Sequence, residues 1–305
     1  FMGAGLIACA TIGYAASRTI PQGHAAQPLM PINRNILAET FIVMKFAFAQ
    51  RRDVVLAMLG KSWFFFTGSL FLSQFPNFVK QTLHAEETVF TLFAVLFSVG
   101  IGIGGLLNNR LLRGAVNATF VPLAALGLSF LSLDLYHTAI PYHAPAAFAN
   151  LVTLDEFVNN SAHWRILADV FFIAVLGGLF VVPLAAILQD RTEEKTRAQI
   201  MAGSSITDSL FMVASAVFAG VLIANGCSIP QLFLIFSIAN LLVAIYICRL
   251  LPDFLLKSIL QGVFKLLYRV EVTGLENIAK AGKRAVIVGN HVSLLDPPLL
   301  AAFLP

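Results

Sequence analysis

The run Ile166-Leu167-Ala168-Asp169-Val170-Phe171-Phe172-Ile173-Ala174-Val175-Leu176-Gly177-Gly178-Leu179-Phe180-Val181-Val182-Pro183-Leu184-Ala185-Ala186-Ile187-Leu188 contains one ionisable residue, Asp169. It is long enough to cross a hydrocarbon core, which takes roughly 20 predominantly apolar residues in a helix. The same ruler, applied outward, marks Phe1 to Ala16 (shortened), Val54 to Phe75, Thr88 to Leu106, Ala115 to Leu133, Gly203 to Ala224 and Gln231 to Leu251. Composition points the same way: 58% of the residues are hydrophobic and 12% charged, with 27 Phe, whereas a soluble domain carries about 25% charged residues. The expected fold is an all-α polytopic membrane protein, with about seven spanning helices over residues 1–251.

Charge is concentrated between the spans. Arg18, Arg34, Lys45, Arg51 and Arg52 follow the first, Arg110 and Arg113 the third, and Arg191, Lys195 and Arg197 the fifth. The alternate loops hold few basic residues. Lys80 is an exception, Arg165 lies at a span edge, and the Asp134 to Trp164 connection carries His137, His143, Asp155, Glu156 and His163. By the positive-inside rule the basic side is cytoplasmic, and so is everything after Leu251. A net charge of +4, so dispersed, argues against a nucleic-acid partner. Cys9, Cys227 and Cys248 sit in or beside apolar segments without metal-ligand spacing, so no metal site is expected.

Ionisable residues at membrane depth are costly and are therefore candidates for substrate contact. Lys61, Asp169 and Asp208 qualify. Each has a plainer alternative: Asp169 can reach the outer interface, Lys61 can snorkel toward the basic side, and Asp208 can belong to an interfacial helix end. Ser204, Ser205, Thr207, Ser209 and Ser215 around Asp208 suggest a polar, cavity-lining face. Gly100, Gly102 and Gly105 satisfy Gly-x-Gly-x-x-Gly but lie inside a span, so they are read as small residues that let helices approach closely rather than as a dinucleotide loop. Gly177, Gly178 and Pro183 are read as a kink in the fifth span.

Beyond Leu251 the pattern changes. Lys257, Gln261, Lys265 and Arg269 recur every fourth residue among Leu, Ile, Val and Phe, which predicts an interfacial amphipathic linker helix over 252–269. Residues 270–305 then read as the start of an α/β domain. Arg269 to Thr273 alternates like a short strand, Ala285-Val286-Ile287-Val288 is a buried strand, and Pro297-Pro298 opens a helix. Between them lies Asn290-His291-Val292-Ser293-Leu294-Leu295-Asp296, a base with a carboxylate five positions on at the exit of a strand.

Two resemblances attach to these residues. Tyr268 to Pro305, above all Asn290-His291-x-Ser293-x-x-Asp296 with the Val272 to Asn277 lead-in, resembles the start of the glycerolipid acyltransferase family, whose hallmark is His-x4-Asp. The resemblance implies that His291 is the general base toward a glycerol hydroxyl and that Asp296 orients it. It also implies an acyl thioester, acyl-ACP or acyl-CoA, as co-substrate, with no bound cofactor. The family's Arg-containing and Glu-Gly-Thr-Arg blocks would fall after Pro305, so this chain by itself is expected to be inactive.

The Ser17 to Asp53 stretch followed by six spans resembles the last helix, central loop and second half of the major facilitator superfamily, and Gly104-Gly105-Leu106-Leu107-Asn108-Asn109-Arg110 through Gly114 is similar to its short cytoplasmic Gly-x-Leu-x-Asp-Arg motif. Asn stands where that superfamily's motif has Asp. The combination, together with the Gln189 to Val213 stretch, resembles bacterial inner-membrane fusions of a lysophospholipid transporter with a phospholipid acyltransferase. That implies lysophospholipid, membrane lipid and acyl carrier protein as partners. Both ends of the sequence fall within apolar, helix-forming stretches, so a fragment of a longer protein is expected. Two other readings stay open: an acyltransferase whose membrane part is only an anchor, and a facilitator for a small polar solute.

Overall fold

The computed structural model describes residues 2–20, 35–112, 116–143, 151–274, 277 and 293–304. Its helices are α1 (Met2–Ser17), α2 (Ile36–Phe48), α3 (Arg52–Asn77), α4 (Glu87–Leu112), α5 (Val121–Ala139), α6 (Leu154–Asn159), α7 (Trp164–Asp190), α8 (Glu194–Ala224), α9 (Ile229–Leu250), α10 (Pro252–Leu267) and α11 (Asp296–Phe303). No strand occurs among the described residues; the one isolated bridge pairs Ala85 with Val152. Among the described residues six helices, α3, α4, α5, α7, α8 and α9, are long and apolar enough to cross a membrane, and α1 is a shorter apolar helix. The chain is a helical, multi-pass membrane protein. Helices dominate because hydrocarbon offers a backbone N–H or C=O no partner, and only intrahelical bonds supply one.

α7 is the hub, packed on α3, α4 and α5, with 61% of its apolar window buried, the largest share of the six. Its contact with α4 depends on missing side chains. A Cβ on Gly100 would stand 2.7 Å from that of Ala174. One on Gly104 would overlap the Val175 carbonyl, and one on Gly178 the Ile101 carbonyl. Gly100-x3-Gly104 and Ala174-x3-Gly178 therefore face each other as two small-residue stripes, the close packing expected of this glycine-rich span. Gly102 is exposed with open space around it. Around this contact a phenylalanine cluster fills the core: Phe71 and Phe78 each lie 5.2 Å from Phe233, and Phe75 meets Phe93 edge-on at 5.6 Å.

Several boundaries differ from the sequence expectation. The Ala115 to Leu133 segment is displaced: the helix runs from Val121, because Asn117 Oδ1 accepts from the N–H and the hydroxyl of Thr119 and Pro122 occupies the first turn. α8 begins at Glu194 rather than Gly203, since the charged turns before Gly203 contain no Gly or Pro to stop a helix that continues past the hydrocarbon. Within the stretch read as a connecting loop, Asn35 caps α2 by accepting the Ala38 N–H, and α2 packs on α8 where Gly203 meets Val43 and Ala47. α7 is continuous through Pro183, and its glycine pair serves packing: Gly178 against α4, Gly177 against Phe64. Arg269 to Thr273 is not a strand; no strand among the described residues lies beside it to complete a ladder. The Ala285 to Val288 run lies outside the described residues.

α10 covers most of the stretch read as a linker helix, and its stripes separate. Leu256, Ile259, Val263, Leu266 and Leu267 form an exposed apolar stripe. The polar stripe is used internally: Gln261 Nε2 donates to the Ala302 carbonyl at 2.7 Å, and Lys257 Nζ donates to that of Leu304. Burial against α11 pushes the Lys257 ammonium below the usual lysine range.

Replacing Gly104 by Ala should lower stability by about 1–3 kcal/mol, since the added methyl forces α4 from α7. Gly102→Ala should leave it unchanged or raise it by roughly 0.5–1 kcal/mol through helix propensity. Thermal unfolding in detergent measures both; equal shifts would contradict the close-contact account.

Candidate functional site

The two ionisable residues set deepest in the apolar sequence meet. Lys61 of α3 and Asp208 of α8 are both buried, and Lys61 Nζ lies 2.7 Å from Asp208 Oδ2. The other carboxylate oxygen accepts from the Ser62 hydroxyl at 2.7 Å. The Phe65 ring lies 5.7 Å from the ammonium, on its cation–π side. An ion in a dry interior loses several kcal/mol of hydration, so each charge is tolerable only with the other in place. The Lys61 ammonium is thus turned onto Asp208 inside the bundle, and Asp208 is held by groups of α3. The serines around Asp208 divide in two. Ser205 and Ser209 are exposed and donate to carbonyls one turn back, whereas Ser204, Thr207 and Ser215 are buried. Ser204, one turn from Asp208, has a hydroxyl without a hydrogen-bond partner among the described residues.

A second polar network links α3, α5 and α9. The Trp63 indole N–H donates to Asn240 Oδ1 at 2.8 Å, and Asn240 Nδ2 donates to the Ala125 carbonyl at 3.0 Å and Ser129 Oγ at 2.8 Å. Ser237 donates to the Ser129 carbonyl at 2.8 Å. Neither Ser62 nor Asn240 carries a charge. Their signal in the sequence is a polar side chain inside an apolar run, which in a membrane interior usually means an interhelical hydrogen bond.

Asp169 lies at the opposite end of α7 from Arg191. It is buried between α5 and α7, Thr138 Oγ1 donates to it at 3.4 Å, and its carboxyl neighbours that of Asp134. Arg165 clasps Asp134 with two N–H groups, the Nε contact being 3.0 Å. Asp169 and the Lys61–Asp208 pair are thus two separate polar sites. In the loop that follows α5, Thr153 and Glu156 form a reciprocal cap on α6, and the hydrogen bonds from Thr153 hold the Glu156 carboxyl below the usual range.

At the C-terminal element, Asp296 opens α11. Its Oδ2 accepts the Ser293 N–H at 2.8 Å while its own N–H donates to the Ser293 carbonyl at 3.0 Å. The carboxylate is thereby held at a fixed angle on the helix start, with its charge at the positive end of the helix. His291 lies outside the described residues, so the distance between the two expected catalytic groups is not part of this geometry.

Removing one member of the buried ion pair leaves the other charge without a partner, and Lys61→Met or Asp208→Asn should each cost about 3–5 kcal/mol. The double variant should cost clearly less than the sum. A double-mutant cycle by thermal or chemical unfolding measures the coupling, and simple additivity would contradict it.

Against known proteins, residues 269–305 match the family model described as Acyltransferase. No solved structure matches the chain. The matched segment starts just past α10, contains the Ser293–Asp296 turn and ends with α11, so this match falls on the element whose residues carried the acyltransferase resemblance.

Proposed function

We propose that the full-length protein moves lysophospholipid across a bacterial inner membrane and restores its missing acyl chain on the cytoplasmic side. The observation that carries this reading is the direct attachment of the acyltransferase-matching segment to the membrane bundle. α10 follows α9 with only Leu251 between them, packs on α5 and α9, and holds α11 through Lys257 and Gln261. A membrane-embedded body joined so closely to an acyl-transfer segment presents a lipid to its enzyme at high effective concentration.

In the reaction, the free glycerol hydroxyl of the lysophospholipid attacks the carbonyl carbon of an acyl thioester, acyl-ACP or acyl-CoA. His291 takes the hydroxyl proton as the C–O bond forms. The C–S bond then breaks, and the leaving thiolate recovers that proton as a thiol. His suits the role because its ordinary pKa lies near neutrality, and Asp296 orients the ring and stabilises its charged form. The buried Lys61–Asp208 pair, joining α3 to α8, supplies the charge within the bundle that a zwitterionic or anionic headgroup can exchange with during passage. The bundle itself corresponds, in this reading, to one half of a facilitator-type transporter. Lysophosphatidylethanolamine is the substrate favoured by resemblance.

A second reading, the bundle as an anchor alone, draws on the same ion pair as a fixed strut. The two separate in proteoliposomes of the full-length protein. His291→Ala should lower acyl transfer by about 10²–10⁴-fold and leave lysophospholipid flipping intact. The Lys61→Met/Asp208→Asn double variant, if folded by its melting curve, should lose flipping yet still acylate lysophospholipid supplied on the enzyme's side. Undiminished flipping in the double variant would favour the anchor reading, and saturable uptake of a small polar solute without lysolipid competition would overturn the choice of substrate.

A further inference from the structure

At the end of the bundle where α3 begins and α7 and α9 end there is a cavity of about 900 Å³. That volume lies at the upper end of the ~300–1,000 Å³ typical of small-molecule sites. Its interior is mostly apolar, with Trp63, Leu184 and Val243 among its walls. Its rim is basic: Arg51, Arg52 and Arg191, with Asp53 between them. Asp53 Oδ2 accepts from Arg51 at 3.0 Å and from Arg191 at 2.8 Å, which fixes the guanidinium groups that flank the start of α3 and the end of α7 at one edge. Three guanidiniums against one carboxylate leave the rim positive. The Arg51 side chain is still 74% exposed, and a guanidinium has five N–H donors, so most of its hydrogen-bonding capacity faces outward.

We infer that this cavity binds a single-chain phospholipid, with the acyl chain among the apolar walls and the phosphate at the Arg51, Arg52 and Arg191 rim. The inference rests on the lysophospholipid reading above and names where the lipid sits next to the enzyme. The chemistry selects the occupant. A small polar solute would leave the apolar walls facing nothing, and an uncharged lipid would leave the rim without a counter-charge. Planar guanidiniums match phosphate oxygens in paired hydrogen bonds. Lys61 and Asp208 are not among the lining residues, so this is a site distinct from the buried ion pair. Leu251 and Phe254, the junction to α10 and its first turn, form part of the wall. A lipid held here touches the helix that carries the acyltransferase-matching segment, on the basic side of the bundle where reacylation is placed. The cavity is then the waiting position between passage and acyl transfer.

The test uses intrinsic fluorescence. Trp63 lines the cavity, and Trp164, the other of the two tryptophans, starts α7 at the far end of the bundle. In the full-length protein with every tryptophan except Trp63 replaced by Phe, Trp164 included, and reconstituted in nanodiscs, a lysophospholipid brominated along its acyl chain should quench Trp63 saturably. Arg51→Gln with Arg52→Gln should weaken the apparent affinity by tenfold or more without changing the melting temperature. Val243→Phe, which fills the interior, should also weaken it. A brominated monoacylglycerol of the same chain length should bind at least tenfold more weakly. Quenching that never saturates, that ignores the arginine changes, or that is equal for the uncharged lipid would overturn the site. Normal flipping and acylation without quenching would overturn the site and leave the transport reading untouched. Saturable, arginine-dependent quenching in a protein that neither flips nor acylates would support the site and remove the transport reading.

Discussion

An unpartnered charge in a water-free interior costs more than most single contacts in a protein can return, and the arrangement of α3 against α8 answers that constraint. Lys61 and Asp208 stand at 2.7 Å, Ser62 takes the second carboxylate oxygen, and α3 is thereby fixed to α8 at a defined rotation and depth. The rest of the bundle is fitted around this register with apolar and small residues. α3 also packs on α7, which meets α4 through paired glycine and alanine stripes. The phenylalanine cluster and the Trp63–Asn240–Ser129 network connect α3 to α9 and α5. Close backbone approach and interhelical hydrogen bonds do in hydrocarbon what apolar burial does in water.

Much of this was legible from residue order. Span length and apolar composition located all six long helices because the bilayer sets a physical ruler that sequence must meet. The glycines of α4 announced close packing. The ruler failed where a helix is longer than the hydrocarbon: the polar start of α8 and the whole of α2 are helical for reasons of capping and packing that hydropathy does not measure. It also failed at Ala115, where an Asn117 side-chain turn delays the helix. The three intramembrane charges were visible individually, but their relations were not. Nothing in linear order shows that Lys61 faces Asp208 across 146 intervening positions' worth of chain, nor that Asp169 lies beside Asp134 of α5. Ser62, Asn240 and the arginine rim were missed because each has a bland reading until another helix supplies its neighbour.

The C-terminal element joins the two halves of the functional reading. Its family match rests on residues 269–305, and the turn that fixes Asp296 lies within them. α10 has an exposed apolar stripe on one side and, on another, two polar side chains that hold the carboxyl end of α11. One helix thus offers a surface suited to the acyl-chain boundary and positions the segment expected to act on a lipid. The cavity beside its first turn places lipid-sized apolar space and phosphate-matching charge at the same junction.

The most direct measurement supplies the two reactants on opposite sides of a membrane. Full-length protein is reconstituted in one orientation, lysophospholipid is given only to the leaflet away from residues 269–305, and acyl thioester is enclosed on the other side. Steady formation of diacyl phospholipid, at a rate above the spontaneous crossing seen in protein-free vesicles, is the result that delivery through the bundle predicts. Product that forms only when both reactants share one side would contradict it and leave the bundle as an anchor.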